Sequence, residues 1–181
     1  MKHADEYRNP IVAHQLIEAI RGQATKRIQI MEFCGGHTHA IMRYGLRQAL
    51  APQVHMLSGP GCPVCVTDNA DIDRAIAMAE LPGVTVVTFG DLIRVPGTHS
   101  SLQEARARGG SVQIVYSALD AVEMARQDPG RSIVMLGIGF ETTAPAIAAS
   151  VLAAERSQLK NYAVYSMHKL TPPAMRAILD A

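Results

Sequence analysis

Apolar residues recur every third or fourth position in some stretches of the chain and form short unbroken runs in others, and the two patterns alternate. Residues 9–22 read as an amphipathic helix, with Ile11, Leu16, Ile17 and Ile20 apolar and Gly22 as its stop. Residues 27–33 read as a strand, and 37–50 as a helix ended by Ala51-Pro52. A short strand over 54–57 runs into a glycine- and proline-rich loop, and Asp68 is placed to cap a helix over 69–79 that Leu81-Pro82-Gly83 closes. The remaining strands are predicted over 84–89, 112–116, 133–138 and 162–167, with helices over 100–108, 118–126 and 143–155 between them. Thr171-Pro172 opens a further helix, with proline in the first turn, where a missing N–H is harmless. About six strands alternating with helices predict an α/β fold: an open, mostly parallel, doubly wound sheet with helices on both faces. No linker, repeat or low-complexity tract interrupts this single α/β region of residues 1–181, and the stretch from about residue 160 could begin or belong to a second α/β lobe.

Composition narrows the picture. The 181 residues suffice for one sizeable domain, and at 4% aromatic content with no Trp its core must be built from Val, Ile, Leu, Ala and Met. Met31, Met56, Met135 and Met167 fall within strands, as core filler would. Seventeen basic against sixteen acidic residues leave a formal charge of +1 without a basic run, so nucleic acid is not an expected partner. The first eight residues hold no apolar stretch resembling a signal peptide, and no segment approaches the roughly 18 apolar residues of a membrane helix. No membrane partner and a cytoplasmic location are the simplest expectations, with thiols kept reduced unless their oxidation is functional.

Three cysteines cannot form a structural disulfide framework, and their setting in Gly/Pro loops points to chemistry. Three segments, Cys34-Gly35-Gly36-His37-Thr38-His39, Gly59-Pro60-Gly61-Cys62-Pro63-Val64-Cys65 and Gly137-Ile138-Gly139-Phe140-Glu141-Thr142-Thr143, each follow an apolar run. Strand carboxyl ends share one edge of a parallel sheet, so the thiols and nearby acid–base groups are expected on one surface. Cys34 sits where a strand gives way to a helix. Gly35 and Gly36 allow close backbone approach, the helix start favours a thiolate, and His37 and His39 could ligate, shuttle protons or orient the sulfur. The bland alternative is a small buried Cys in a tight turn beside partly solvated histidines.

Cys62 and Cys65 have the spacing of a redox dithiol or of half a zinc site; with no second CxxC, a zinc ribbon is disfavoured. The 137–143 segment only partly resembles a phosphate-binding turn: Thr142 replaces the third glycine of the dinucleotide fingerprint. Thr142 or Thr143 could simply cap the next helix, while Glu141 could supply a carboxylate to the shared edge. Asp91 and Arg94, and Ser166 with His168, are weaker candidates on the same edge.

The ordered set of Cys34–Thr38, then 59–65, then 139–143, then Ser166 with His168, Pro172 and Pro173 resembles the HypD family of [NiFe]-hydrogenase maturation factors. The resemblance runs from about residue 27 to the last. It implies a scaffold, working with a HypC-type chaperone, on which iron is assembled as Fe(CN)2CO, with HypE and HypF making and delivering cyanide. By resemblance Cys34 is the iron-ligating thiolate, with Gly35 and Gly36 in its loop and His37 beside it. Cys62 and Cys65 are the dithiol that moves electrons, and Glu141, Thr142, Thr143 and His168 belong to a site supporting assembly or docking. Family members are about twice this length and carry a [4Fe-4S] cluster on four further-downstream cysteines; three cysteines cannot supply those ligands. The rival expectation is a stand-alone thiol-disulfide oxidoreductase using Cys62 and Cys65. Its thioredoxin-like form is weakened because Val66-Thr67-Asp68 separates the pair from the next helix.

Overall fold

A computed structural model describes residues 5–59, 61–64 and 66–180. Among the described residues, six strands and eight α-helices alternate, and every strand pairing is parallel, as the α/β expectation required. The strands form two sheets, of two and of four, and the chain divides into two compact units, residues 1–61 and 62–181.

In the first unit, helix α1 (Pro10–Gln23) starts where the Asn9 side chain accepts hydrogen bonds from the N–H groups of Ile11 and Val12. Its apolar side is uncovered: Leu16 is 58% and Ile20 42% exposed. Strand β1 (Ile28–Glu32) pairs with β2 (Val54–Ser58), from Ile28 opposite Val54 to Glu32 opposite Ser58. The helix expected over 37–50 is two helices, α2 (Gly35–Arg43) and α3 (Leu46–Ala49). Gly45, at φ 64°, breaks the run in the left-handed region that glycine adopts without strain.

The second unit is doubly wound. Its strands lie in the order β4 (Val112–Ile114), β3 (Val84–Thr88), β5 (Ser132–Gly137), β6 (Tyr162–Ser166). On one face, α4 (Asn69–Glu80) and α5 (Leu102–Ala107) bury Ile72, Ile76 and Leu102 against Val86, Val112 and Leu136. On the other, α6 (Ala118–Gln127) and α7 (Ala144–Arg156) cover Val87, Ile133 and Met135. Each large aliphatic side chain removed from water here contributes about 1.5–3 kcal/mol. Capping boxes, Ser101 with Glu104 and Ser117 with Asp120, start α5 and α6, and α8 (Thr171–Leu179) follows β6.

Among the described residues, no helix is long and apolar enough to cross a membrane.

Candidate functional site

The Cys34 turn is built by residues on both sides of it. β1 ends at Glu32, and Cys34 occupies the position just before α2 in extended backbone (φ −128°, ψ 124°). The carbonyl of Cys34 accepts the Thr38 N–H at 2.9 Å, which starts the helix. The Glu32 carboxylate closes the turn: one oxygen accepts the Cys34 N–H at 2.8 Å, and the other accepts the Thr38 hydroxyl. These hydrogen bonds, from Thr38 first and then Cys34, hold the Glu32 carboxyl below its ordinary range, and the nearby His37 acts in the same direction. The main-chain carbonyl of Glu32 accepts the Gly59 N–H at 2.7 Å. A Cβ on Gly59 would lie 2.3 Å from that oxygen, so glycine is required at the exit of β2.

Cys34 itself is half-buried with its thiol free, and a Cβ on Gly36 would rest at an ordinary 3.7 Å from its Sγ. His37 and His39 are exposed on α2. Glu32 was not singled out from the sequence, although a carboxylate ending a strand two residues before a cysteine was a signal for it.

In the second unit, β3 and β5 lie side by side, but the chain leaving β3 enters the α5 face and the chain leaving β5 enters the α7 face. Such a switch point opens a crevice at the carboxyl ends of the strands, where open α/β sheets bind ligands. The 137–143 segment leaves β5 at this point and meets the segment after β6. The N–H groups of Met167 and Lys169 donate to the carbonyls of Gly137 and Gly139. The His168 ring occupies the space a Gly137 side chain would need, with Cε1 2.9 Å from the position of a Cβ. Its Nδ1 hydrogen-bonds with Ser166 Oγ at 2.9 Å, whereas its Nε2 is buried without a partner. Burial lowers the His168 pKa and favours the neutral ring.

Glu141 does not reach into open space. Its carboxylate accepts the Thr171 N–H at 2.8 Å and the Thr171 hydroxyl at 2.7 Å, clamping the start of α8. Those bonds, the hydroxyl's first, lower the Glu141 pKa. Thr143 precedes α7, yet its hydroxyl turns back to the carbonyls of Ile138 (3.0 Å) and Phe140 (3.1 Å) in place of capping the helix. Thr142, Asp91 and Arg94 are exposed.

Cys62 is half-buried against the apolar cluster that contains Val64, Ile138 and Met167. Its carbonyl accepts the Val66 N–H, and the Thr67 hydroxyl donates to the Pro63 carbonyl at 2.8 Å. The cysteine-bearing turn therefore precedes α4 without opening it. Cys65 and Pro60 lie outside the described residues. Among the described residues, no three His, Cys, Asp or Glu side chains are grouped to hold a metal ion.

Residues 11–181 match the family model HypD, described as the hydrogenase formation hypA family. The chain is 50% identical over 184 residues to the hydrogenase maturation factor HypD2 of Bradyrhizobium diazoefficiens, covering 100% of this chain and 48% of that protein. It is 46% identical to the hydrogenase maturation factor HypD of Rhodobacter capsulatus (99% of this chain, 50% of that protein). It is 47% identical to that of Azotobacter vinelandii (99% and 48%). The chain spans about half the length of the curated relatives it matches.

Proposed function

Since the chain belongs to the HypD family of hydrogenase-formation proteins, we propose that it is a scaffold for the Fe(CN)2CO group of [NiFe]-hydrogenase, holding iron through Cys34. The observation that carries this reading is the Cys34 turn: one half-buried, free thiol at a helix start, with its backbone fixed by Glu32 and Thr38. Cys34 precedes the helix start, and thiolates suit iron carrying strong-field ligands. Iron is the cargo here. Within the described residues, one sulfur is not joined by a group of three or more His, Cys, Asp or Glu donors. That donor set fits a metal shared with diatomic ligands and with a partner's donor, for which a HypC-type chaperone is the proposed source. HypE and HypF are the proposed makers and carriers of cyanide.

Cys62 and Cys65 are proposed as the dithiol of the scaffold. Oxidation of the pair to a disulfide releases two electrons and two protons, which serve the reduction that assembly requires. The Cys62 turn lies one loop ahead of α4, unlike a helix-opening thioredoxin-type pair, which supports this role over stand-alone oxidoreductase activity. Gly35, Gly36 and His37 frame the iron thiol. Glu141, Thr142, Thr143 and His168 form the supporting edge of the second unit. The three cysteines present do not supply the four ligands of a [4Fe-4S] cluster.

The test is infrared spectroscopy of the chain purified anaerobically with the HypC-type chaperone from cells expressing the other maturation proteins. Cyanide and carbonyl stretches with stoichiometric iron are expected, and Cys34→Ala is expected to lose both while Cys62–Cys65 disulfide formation persists. Full iron loading in Cys34→Ala would remove Cys34 from its assigned role.

A further inference from the structure

We infer that Glu32 is a positioning residue for Cys34: its side chain fixes the cysteine turn while its main chain fixes the segment leaving β2. This deepens the scaffold reading, but its test does not depend on iron. Glu32 is the last residue of β1, and its position is set by the parallel register with Ser58. From there its two carboxylate oxygens reach different groups, the Cys34 N–H and the Thr38 hydroxyl, at either end of the turn. Hydrogen bonds to an ionised acceptor are about twice as strong as neutral ones, so the turn is tied at both ends by strong contacts. The Thr38 hydroxyl also lies 3.3 Å from the Cys34 carbonyl, and the Thr38 N–H donates to the same carbonyl. Both main-chain polar groups of Cys34 are thereby engaged, and the direction of its Cα–Cβ bond follows. The thiol remains available.

The second half of the inference concerns the main chain of Glu32. Its carbonyl accepts the Gly59 N–H, and no side chain fits at Gly59 because a Cβ would collide with that oxygen. Gly59 opens the Gly-Pro-Gly-Cys segment. A single residue thus anchors the turn that bears Cys34 and the start of the segment that leads to Cys62. A carboxylate serving only as a solvated strand end would need neither set of contacts.

The experiment measures, by peptide mass spectrometry, the rates at which iodoacetamide alkylates Cys34 and Cys62 in the reduced chain. Wild type is compared with Glu32→Ala, Glu32→Gln and Thr38→Val, with thermal unfolding followed alongside. Positioning by hydrogen bonds predicts that Glu32→Ala changes the Cys34 rate about tenfold relative to the Cys62 rate. Glu32→Gln, which keeps an acceptor for the Cys34 N–H, is expected to restore most of the wild-type ratio, and Thr38→Val to fall between the two. An unchanged ratio in folded Glu32→Ala overturns the inference. So does an equal change at both cysteines accompanied by a lower melting temperature, which marks general loosening. Absence of iron from the wild-type chain would count against the scaffold reading and leave this result intact.

Discussion

Replacing Gly139 by Ala tests whether the turn after β5 is as tightly determined as its geometry indicates. Gly139 has φ 133°, a region that L side chains rarely adopt, and an added Cβ would lie 1.9 Å from Thr143 Oγ1 and 2.8 Å from Thr143 Cβ and Cγ2. Two effects add. Holding a non-glycine residue in that conformation costs about 1–3 kcal/mol. Forcing Thr143 aside adds about 1–3 kcal/mol of overpacking, and it disturbs the hydroxyl's bonds to the Ile138 and Phe140 carbonyls. Destabilisation of roughly 2–6 kcal/mol is expected on these two grounds. Urea unfolding of wild type, Gly139→Ala and the double variant Gly139→Ala/Thr143→Ala measures it. The double variant relieves the collision and leaves the backbone strain, so it should recover part of the loss. A Gly139→Ala midpoint within about 0.5 kcal/mol of wild type, the range of inconsequential surface changes, would refute the reasoning.

Stability should fall in acid in a defined direction. Glu32, Asp73 and Glu141 all have folded pKa values below their ordinary 3.8 (Asp) and 4.5 (Glu), owing chiefly to hydrogen bonds from Thr38, Thr98 and Thr171. A depressed folded pKa gives stability that is fully present above the ordinary value and is lost as pH falls through the folded value. Thermal melts should therefore hold steady above about pH 5 and decline below it, less steeply in Glu141→Gln; an identical acid slope in that variant would contradict the Thr171 clamp. Gly59→Ala should destabilise the first unit by about 1–3 kcal/mol, because the obstacle is the Glu32 backbone oxygen, and unfolding monitored by a probe in residues 1–61 would read it. An unperturbed transition there would contradict the contact.

Much of the fold was legible in the chain because its signals are local. Asn9, Asp68, Ser101 and Ser117 cap helices from beside them, and the apolar runs of β3 and β5 reflect burial on both sheet faces. Features missed or misread depend on contacts between distant residues or on one backbone angle. Gly45 divides a periodic stretch that otherwise reads as one helix. The bond between Glu141 and Thr171 was not legible because the two are thirty residues apart. Thr143 has the composition of a helix cap, but the carbonyls of Ile138 and Phe140 compete for its hydroxyl and take it. Within the Cys34 site the cysteine and its glycines could be read directly, whereas Glu32 gains its role only when β1 and β2 pair and α2 folds back beside it.

The all-parallel ladder also sets an order of events during synthesis. Among the described residues, no strand pairs through a hairpin, since each parallel partner is reached only after a crossover. β3 is central, yet Val84 finds its partner Ser132 forty-eight positions later, after β4 and α6 have been made. Until then a growing chain holds β3 and β4 with the other edge of β3 bare, and that edge carries the run Val84–Thr88. An unpaired apolar edge is a template for adding foreign strands. The ribosome-bound chain, before β5 emerges, is thus the stage at which this protein most needs shielding, whatever its stability once complete.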